Sequence, residues 1–252
     1  MYEDYKKGMV HETSIVSSNA TIGKNVEIGP YAVIGDDVQI GNGCKIGPSV
    51  VIDGFTKIGK YNRFYSEGLI GSKGNYLSLG DNNIFREFVT INSTENKAGG
   101  VTTIGNNNLF QAYSHISVDC IIGNNVTIGN MTYLGNFIVI EDRATISALR
   151  EIDDHVKIGK MVMVGGKGKV KENIPPFFLA DGKIAKVIST NVVGLKRNGI
   201  TPIVRAELKK AYKILYRSNL NISQALEEVE QKLTMFPEVE YLVNFMRIHQ
   251  FR

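Results

Sequence analysis

The chain has 252 residues, a net charge of +4 and 26 glycines, so it can bury a sizeable core as one repeat domain or as two ordinary domains. The small positive charge does not indicate nucleic acid binding, but it permits an acidic partner. The two cysteines, Cys44 and Cys120, lack metal-ligand spacing and predict a reducing, cytoplasmic compartment without disulfides. No run approaches 18 apolar residues and the first 12 residues lack an apolar core, so we expect neither a membrane span nor a signal peptide.

An apolar residue recurs at every sixth position from Val16 to Ile70, from Leu79 to Ile91 and from Ile104 to Val164, often followed by glycine. Six residues make a short strand and a corner. Three such units close a coil of about 18 residues, and coils stack about 4.8 Å apart. The repeat therefore predicts an all-β solenoid, a parallel β-helix, over residues 1–172. Two segments interrupt the six-residue step, and we expect loops at 72–78 and 92–103 that line a site.

The repeats stop after Val170, where Asn173–Pro176 forms a structure breaker. A helical period begins at Thr201-Pro202, with a further helix over Ser223–Leu233 and a last one from Pro237. The pattern predicts a C-terminal helical domain over residues 173–252 that covers the open end of the solenoid.

Several segments carry a resemblance to a known family. They are Val89–Ile91 before a Gly-Gly loop, Asp154–Val156, Met163–Gly166, Ile174–Pro176, Asn191–Arg197 and Ala211–Ser218. Over about residues 10–250 the chain resembles the acyl-[acyl-carrier-protein]–UDP-N-acetylglucosamine O-acyltransferases, the LpxA family. The resemblance implies that the β-helix is left-handed and that the protein forms a homotrimer with sites in clefts between subunits. It also implies transfer of a 3-hydroxyacyl group from acyl carrier protein to a UDP-sugar, without a cofactor.

The resemblance also assigns binding residues. Met163 and Gly166 match the place where the family's acyl chain lies, and Asn191 and Arg197 match substrate-contacting positions. A basic stripe on the first long helix is a candidate surface for the acidic carrier protein, although an ordinary solvated helix face explains it equally well. It consists of Lys209, Lys210, Lys213 and Arg217.

The catalytic positions of the family are altered. Its base is the second histidine of a His-x-x-His-Asp motif, which here reads His115 to Asp119 with Val118 at the base position. Valine cannot accept a proton, and loss of a general base costs roughly 10²–10⁴ in rate. Three further histidine positions of the family cleft hold Asn92, Phe137 and Asp153.

These substitutions favour a non-catalytic homologue that binds acyl carrier protein, an acyl chain, a nucleotide sugar or a partner protein. The alternative is an active acyltransferase on UDP-N-acetylglucosamine or a related UDP-amino sugar, because an unprotonated amine needs less help from a base. His115 could replace the base only if its ring reaches the same acceptor, and we expect residues 115 and 118 to point in different directions.

A second polar group follows one coil later. Asp153, Asp154 and His155 could form a new acid–base cluster, although a solvated polar corner is the simpler interpretation. One histidine with scattered carboxylates is weak evidence for a metal, so we predict no metal site.

Overall fold

The computed structural model describes residues 9–72, 75–93 and 100–249. The six-residue repeats form a solenoid of triangular cross-section. Each repeat gives a short strand followed by a corner, and successive strands fall in turn on three parallel sheets. We call these sheets faces 1, 2 and 3, and we name each corner by the two faces that it joins.

In the described residues, face 1 has nine strands: β1 (Ile15–Val16), β4 (Val33–Ile34), β7 (Val51–Ile52), β10 (Leu69–Ile70), β13 (Thr90–Ile91), β16 (His115–Ile116), β19 (Tyr133–Leu134), β22 (Arg150–Ile152) and β25 (Gly168–Val170). Face 2 has eight: β2 (Thr21–Ile22), β5 (Gln39–Ile40), β8 (Phe55–Ile58), β11 (Tyr76–Leu79), β14 (Thr102–Ile104), β17 (Ile121–Ile122), β20 (Val139–Ile140) and β23 (Lys157–Ile158). Face 3 has ten: β3 (Glu27–Ile28), β6 (Lys45–Ile46), β9 (Arg63–Phe64), β12 (Ile84–Phe85), β15 (Leu109–Phe110), β18 (Thr127–Ile128), β21 (Thr145–Ile146), β24 (Met163–Val164), β26 (Phe178–Asp181) and β27 (Lys186–Thr190).

The second residue of each two-residue strand points inward, so apolar side chains stack along the solenoid axis. Phe64, Phe85 and Phe110 show this stacking, with ring centroids 4.7 and 4.9 Å apart. Both cysteines also lie inside and are fully buried. This interior is one continuous hydrophobic cluster, because every coil presents the same faces to the coils above and below it.

Three buried asparagines form a polar ladder inside this apolar core. Asn83 Nδ2 donates to the Gly105 carbonyl at 2.9 Å, and Asn83 Oδ1 accepts the Asn108 backbone N–H at 2.9 Å. Asn62 makes the same bond one rung earlier, to the Asn83 N–H at 2.9 Å. The ladder satisfies backbone groups that the corner would otherwise leave unpaired, so it fixes the register of successive coils.

The two predicted loops are shorter than the sequence suggests. Tyr76–Leu79 forms strand β11, paired with β8, and Thr102–Ile104 forms strand β14. The expectation of loops over all of 72–78 and 92–103 was therefore wrong at their C-terminal ends, because parallel pairing with the neighbouring coil extends the strands. Residues 73–74 and 94–99 lie outside the described residues.

The C-terminal part begins as a continuation of the solenoid. Strand β26 adds to face 3 in parallel, and β27 returns antiparallel to it. Four helices follow: α1 (Val192–Arg197), α2 (Pro202–Arg217), α3 (Ile222–Lys232) and α4 (Pro237–Ile248). The three longer helices agree with the predicted ones, whereas the hairpin and α1 were not predicted. The helices pack around a second hydrophobic cluster, with Leu195, Leu208 and Leu242 fully buried.

Several polar contacts join the solenoid to this tail, and two residues illustrate them. The Arg150 side chain is fully buried at the end of the solenoid and donates to the Gly182 carbonyl at 2.8 Å and to Asp181 Oδ1 at 3.2 Å. On the 2–3 corner, Lys160 Nζ lies 3.5 Å from the centroid of the Tyr241 ring of α4. Burial lowers the pKa of Lys160, which is the expected effect of packing an amine among aromatic rings. The tail is therefore attached at two edges of the last coils.

The asparagine ladder makes a stability prediction. Asn83→Ala removes two buried hydrogen bonds and leaves the Asn108 N–H and the Gly105 carbonyl unpaired, so we expect a loss of roughly 3 kcal/mol in the free energy of unfolding. Asn107→Ala is the matched control, since Asn107 is an exposed corner residue with a φ of 59°, where alanine costs about 1 kcal/mol. Chemical denaturation followed by circular dichroism measures both. Equal losses would show that the ladder has no special role.

Candidate functional site in the 1–2 corner and the face 3 cavity

Val118 and Asp119 lie on the 1–2 corner that follows strand β16. Val118 is half-buried, and its carbonyl accepts the backbone N–H of Phe137 from the next coil at 3.1 Å. Asp119 adopts a left-handed conformation with a φ of 58°, and its backbone N–H donates to Thr102 Oγ1 at 3.0 Å. The structure thus places an apolar side chain at the position that the resemblance assigns to the base.

His115 lies on strand β16 of face 1, with its side chain on the outer surface. Its Nδ1 forms a 2.6 Å hydrogen bond with Thr90 Oγ1 from the preceding coil. Its ring stacks on Tyr133 of the following coil, with centroids 5.0 Å apart and planes within 7°. Burial lowers the pKa of His115 below the ordinary value of 6.5, so the imidazole is uncharged at neutral pH.

Two hydroxyl groups beside Val118 were missed in the sequence. Ser117 Oγ and the Tyr133 hydroxyl form a 3.2 Å hydrogen bond, and Ser117 is almost fully buried. Tyr133 therefore contacts both His115 and the residue that precedes Val118. The signal was available, because Tyr133 pairs directly with His115 in the register of face 1.

The predicted cluster of Asp153, Asp154 and His155 is divided by the structure. Asp154 accepts the Asn136 backbone N–H at 2.8 Å and its side-chain amide at 3.2 Å, and these bonds lower the pKa of the carboxyl. Asp154 thus belongs to the corner's backbone support. The His155 ring stacks on Phe137 with centroids 4.7 Å apart. Within the described ranges, no group of three or more His, Cys, Asp or Glu side chains is arranged to hold a metal ion.

Three of the four substrate-binding candidates lie together. Met163, Asn191 and Arg197 line a cavity of about 550 Å³ at the end of face 3, with Leu179 and Val193 among its apolar walls. Arg197 is exposed and makes no ion pair within the part of the chain that the structure describes. The cavity therefore combines apolar walls with one unneutralised cation.

Two of the four candidates, Asn191 and Gly166, have structural contacts of their own. Asn191 caps helix α1 by accepting the Gly194 N–H at 2.9 Å, and its amide donates to the Met161 carbonyl at 2.8 Å. Gly166 is not among the residues that line the cavity. It lies on the 3–1 corner with a φ of 62°, where a Cβ would collide with the Asp181 carboxylate.

The basic stripe on α2 is partly neutralised. Lys210 pairs with Glu207 at 2.6 Å, and Arg217 Nε donates to the Tyr212 hydroxyl at 3.1 Å. Lys209 and Lys213 are exposed and without ion pairs among the described residues. The Tyr212 hydroxyl is neutral, so three of the four predicted side chains, Lys209, Lys213 and Arg217, present a charge to solvent without an ion pair among the described residues. None of the helices in residues 9–249, as far as they are described, is long and apolar enough to span a membrane.

The architecture of hexapeptide coils with a helical tail defines a class of proteins, the hexapeptide-repeat transferases. The bacterial transferase hexapeptide model matches residues 19–54 and 101–136, and the model for domain 2 of UDP-N-acetylglucosamine O-acyltransferase matches residues 173–252. The chain is 38% identical over 250 residues to the acyl-[acyl-carrier-protein]–UDP-N-acetylglucosamine O-acyltransferase of Thermodesulfovibrio yellowstonii. The alignment covers 96% of this chain and 97% of that relative. The chain is also 39% identical over 206 residues to the enzyme of the same name from Gloeothece citriformis, covering 78% and 74%.

A solved structure agrees with these matches. LpxA from Bacteroides fragilis, a UDP-N-acetylglucosamine acyltransferase, superposes with a TM-score of 0.93 at 35% identity, over 96% of this chain and 98% of that chain. The chain belongs to the acyl-[acyl-carrier-protein]–UDP-N-acetylglucosamine O-acyltransferase family. The predicted left-handed parallel β-helix with C-terminal helices is confirmed.

The environment of His115 makes a prediction about pH. Its pKa is lower in the folded than in the unfolded chain, so the unfolded chain binds more protons below about pH 6.5. The stabilisation is complete above this pH and is lost as the pH falls through the lower, folded pKa. We expect the His115 ring to titrate below pH 6.5 in an NMR titration. The free energy of unfolding of His115→Asn should fall less steeply over the same window, and identical slopes would contradict the assignment.

Proposed function

We propose that this protein binds an acyl donor and a nucleotide sugar, as the names of its relatives indicate for those proteins. The observation that carries the proposal is the cavity beside Met163 and Arg197. Its apolar walls suit an acyl chain, and the unpaired guanidinium suits a phosphate group, which arginine binds through several N–H donors. The cytoplasmic location expected from the sequence stays a prediction.

A homotrimer is part of this proposal. The outer side of face 1 is apolar at its N-terminal end, where Ile15 and Leu69 are 66% and 48% exposed. The neighbouring 3–1 corner exposes an apolar column, Tyr113, Met131 and Leu149. Two different surfaces of one copy can meet head to tail and close a ring of copies. Burying these surfaces against each other supports a trimer.

An acyl carrier protein is the proposed donor protein. Lys209 and Lys213 project from α2 without ion pairs among the described residues, so the helix presents positive charge to an acidic partner. Steering by such charges mainly raises the rate of association and is weakened by salt.

The proposal has two forms that differ in chemistry. In the non-catalytic form, Val118 cannot serve as the general base of the family's reaction. The protein then binds its ligands without transferring an acyl group. In the active form, an acyl group is still transferred to the UDP-sugar. The observation that favours the active form is the uncharged His115 ring, held by Thr90 beside the altered base position.

Arg197 provides the test of ligand binding. Arg197→Ala should weaken binding of UDP-N-acetylglucosamine about tenfold or more, because charge-assisted hydrogen bonds contribute roughly 1.5–3 kcal/mol. Lys196→Ala is the matched control, since Lys196 is an exposed cation on the same helix but does not line the cavity. Isothermal titration calorimetry measures both. No binding to the unmodified protein, or equal effects of the two variants, would reject the proposed site.

An assay of acyl transfer distinguishes the non-catalytic form of the proposal from the active form. The non-catalytic form predicts no turnover of acyl-ACP with UDP-N-acetylglucosamine by the unmodified protein and a gain of turnover in Val118→His. Robust turnover by the unmodified protein would exclude this form. The measurement is radiolabelled acyl transfer resolved by chromatography, run for both proteins at equal concentration.

A further inference from the structure

Face 1 carries a cluster of polar side chains immediately beside the corner of Val118. It consists of Thr90, His115, Ser117 and Tyr133, which we call the imidazole–hydroxyl cluster. The four residues come from three successive coils and are joined by two hydrogen bonds and one ring stack. The arrangement has the parts of an acid–base site: an oriented imidazole and neighbouring hydroxyl donors.

The imidazole is held in one orientation. Thr90 fixes Nδ1 at 2.6 Å, and the Tyr133 ring, parallel within 7°, fixes the plane. Nε2 makes no hydrogen bond to any described residue. When Nδ1 carries the proton and donates it to Thr90 Oγ1, Nε2 has a free lone pair. This is the tautomer that a general base requires.

Tyr133 connects this imidazole to the altered base position. Its ring lies over His115 and its hydroxyl reaches Ser117 Oγ at 3.2 Å, and Ser117 is bonded to Val118. The span from His115 to the corner is thus that of one phenol side chain. Residues 115 and 118 were expected to point in different directions. The His115 ring and Ser117, the residue before Val118, nevertheless contact the same tyrosine.

The charge around the ring leaves it able to accept a proton. Thr90 from β13 is uncharged, and Tyr133 from β19 is the titratable group stacked on the ring. Asp119 follows on the corner of the same coil. Glu151 lies one coil beyond Tyr133 in the same register and pairs with Lys169 at 2.6 Å. Burial alone lowers the pKa of His115, so the free base predominates at neutral pH.

We infer that His115 is the general base of an acyl transfer in this protein, with Thr90 as its positioning residue and the Tyr133 hydroxyl, which accepts a hydrogen bond from Ser117, as a donor to the substrate. The inference rests on the active form of the proposed function. His115 Nε2 takes the proton of the acceptor hydroxyl as its oxygen bonds to the carbonyl carbon of the acyl thioester. The carbon–sulfur bond then breaks, its electron pair leaves on sulfur, and the imidazolium returns the proton to the thiolate. The developing oxyanion would accept a hydrogen bond from the Tyr133 hydroxyl.

The test is the pH dependence of acyl transfer from acyl-ACP to UDP-N-acetylglucosamine. For the unmodified protein, kcat/KM should rise with pH to a plateau, with its midpoint below 6.5. His115→Asn should lower kcat by roughly 100-fold or more with KM nearly unchanged. His11→Asn, at the other end of the solenoid, is the matched control and should leave the rate unchanged. Thr90→Val should move the midpoint to lower pH, because the protonated imidazole loses its acceptor.

Tyr133→Phe keeps the ring stack and removes only the hydroxyl, so it should lower kcat while the His115 titration persists. Tyr61→Phe, on the 2–3 corner, is its control.

No turnover by the unmodified protein, or turnover that survives His115→Asn, overturns the inference. Loss of UDP-N-acetylglucosamine binding in His115→Asn also overturns it, since a base alone should not determine affinity. If the unmodified protein binds the nucleotide sugar without His115-dependent transfer, only this inference fails. If it does not bind, the proposed function fails as well.

Discussion

Backbone hydrogen bonds between successive coils determine where every side chain of the solenoid lies. The offset between paired residues is 18 in uninterrupted coils, as for Leu109 and Thr127, and larger where a loop is inserted, as for Thr90 and His115. A residue therefore meets the same neighbours above and below it whatever its type. The backbone pairing between coils places His115 and Tyr133 in one column, and likewise Phe137 and His155, so their rings stack. Side chains that can act together in this fold therefore lie in columns across successive coils and are not neighbours in the sequence.

The corners add a second constraint. Most of them turn through a residue with positive φ, and many of these residues are not glycine, among them Tyr113, Met131 and Leu149. This conformation disfavours bulky side chains, so something else must offset its cost. Asparagine and aspartate on the corners do so by accepting backbone N–H groups of the coil before, as Asp142 does for Asn124 at 2.7 Å. The apolar column on the 3–1 corner has no such bond in its side chains, and burial against a second copy would supply the compensation.

Much of this was readable in the sequence, and the reason is the strict period. The positions of Ile116 and Cys120 inside the solenoid follow from counting in sixes. The long helices of the tail follow from their apolar faces, and α2 begins at Thr201-Pro202 as predicted, with Thr201 as its N-cap. The hairpin β26–β27 was not predictable, because its pairing depends on the last solenoid strand and not on a local pattern. The roles of Asn191 and Asp154 were equally hidden, since a side chain that caps backbone groups has the same residue type as one that binds a ligand.

The column arrangement also changes how the altered corner should be judged. Asp153 and Asp154 were candidates for a new acid–base cluster, but Asp154 accepts hydrogen bonds from two N–H groups of Asn136, which partly offset its charge. Val118 removes one proton acceptor from the corner without disturbing face 1 beside it, because strand and corner are supported by different bonds. His115 keeps its anchor on Thr90 and its stack on Tyr133 regardless of what occupies position 118. A solenoid can therefore lose a base on one corner while the adjoining face still presents an oriented, uncharged imidazole. Loss of the motif histidine is then weaker evidence against catalysis here than in a fold whose site residues depend on one another for position.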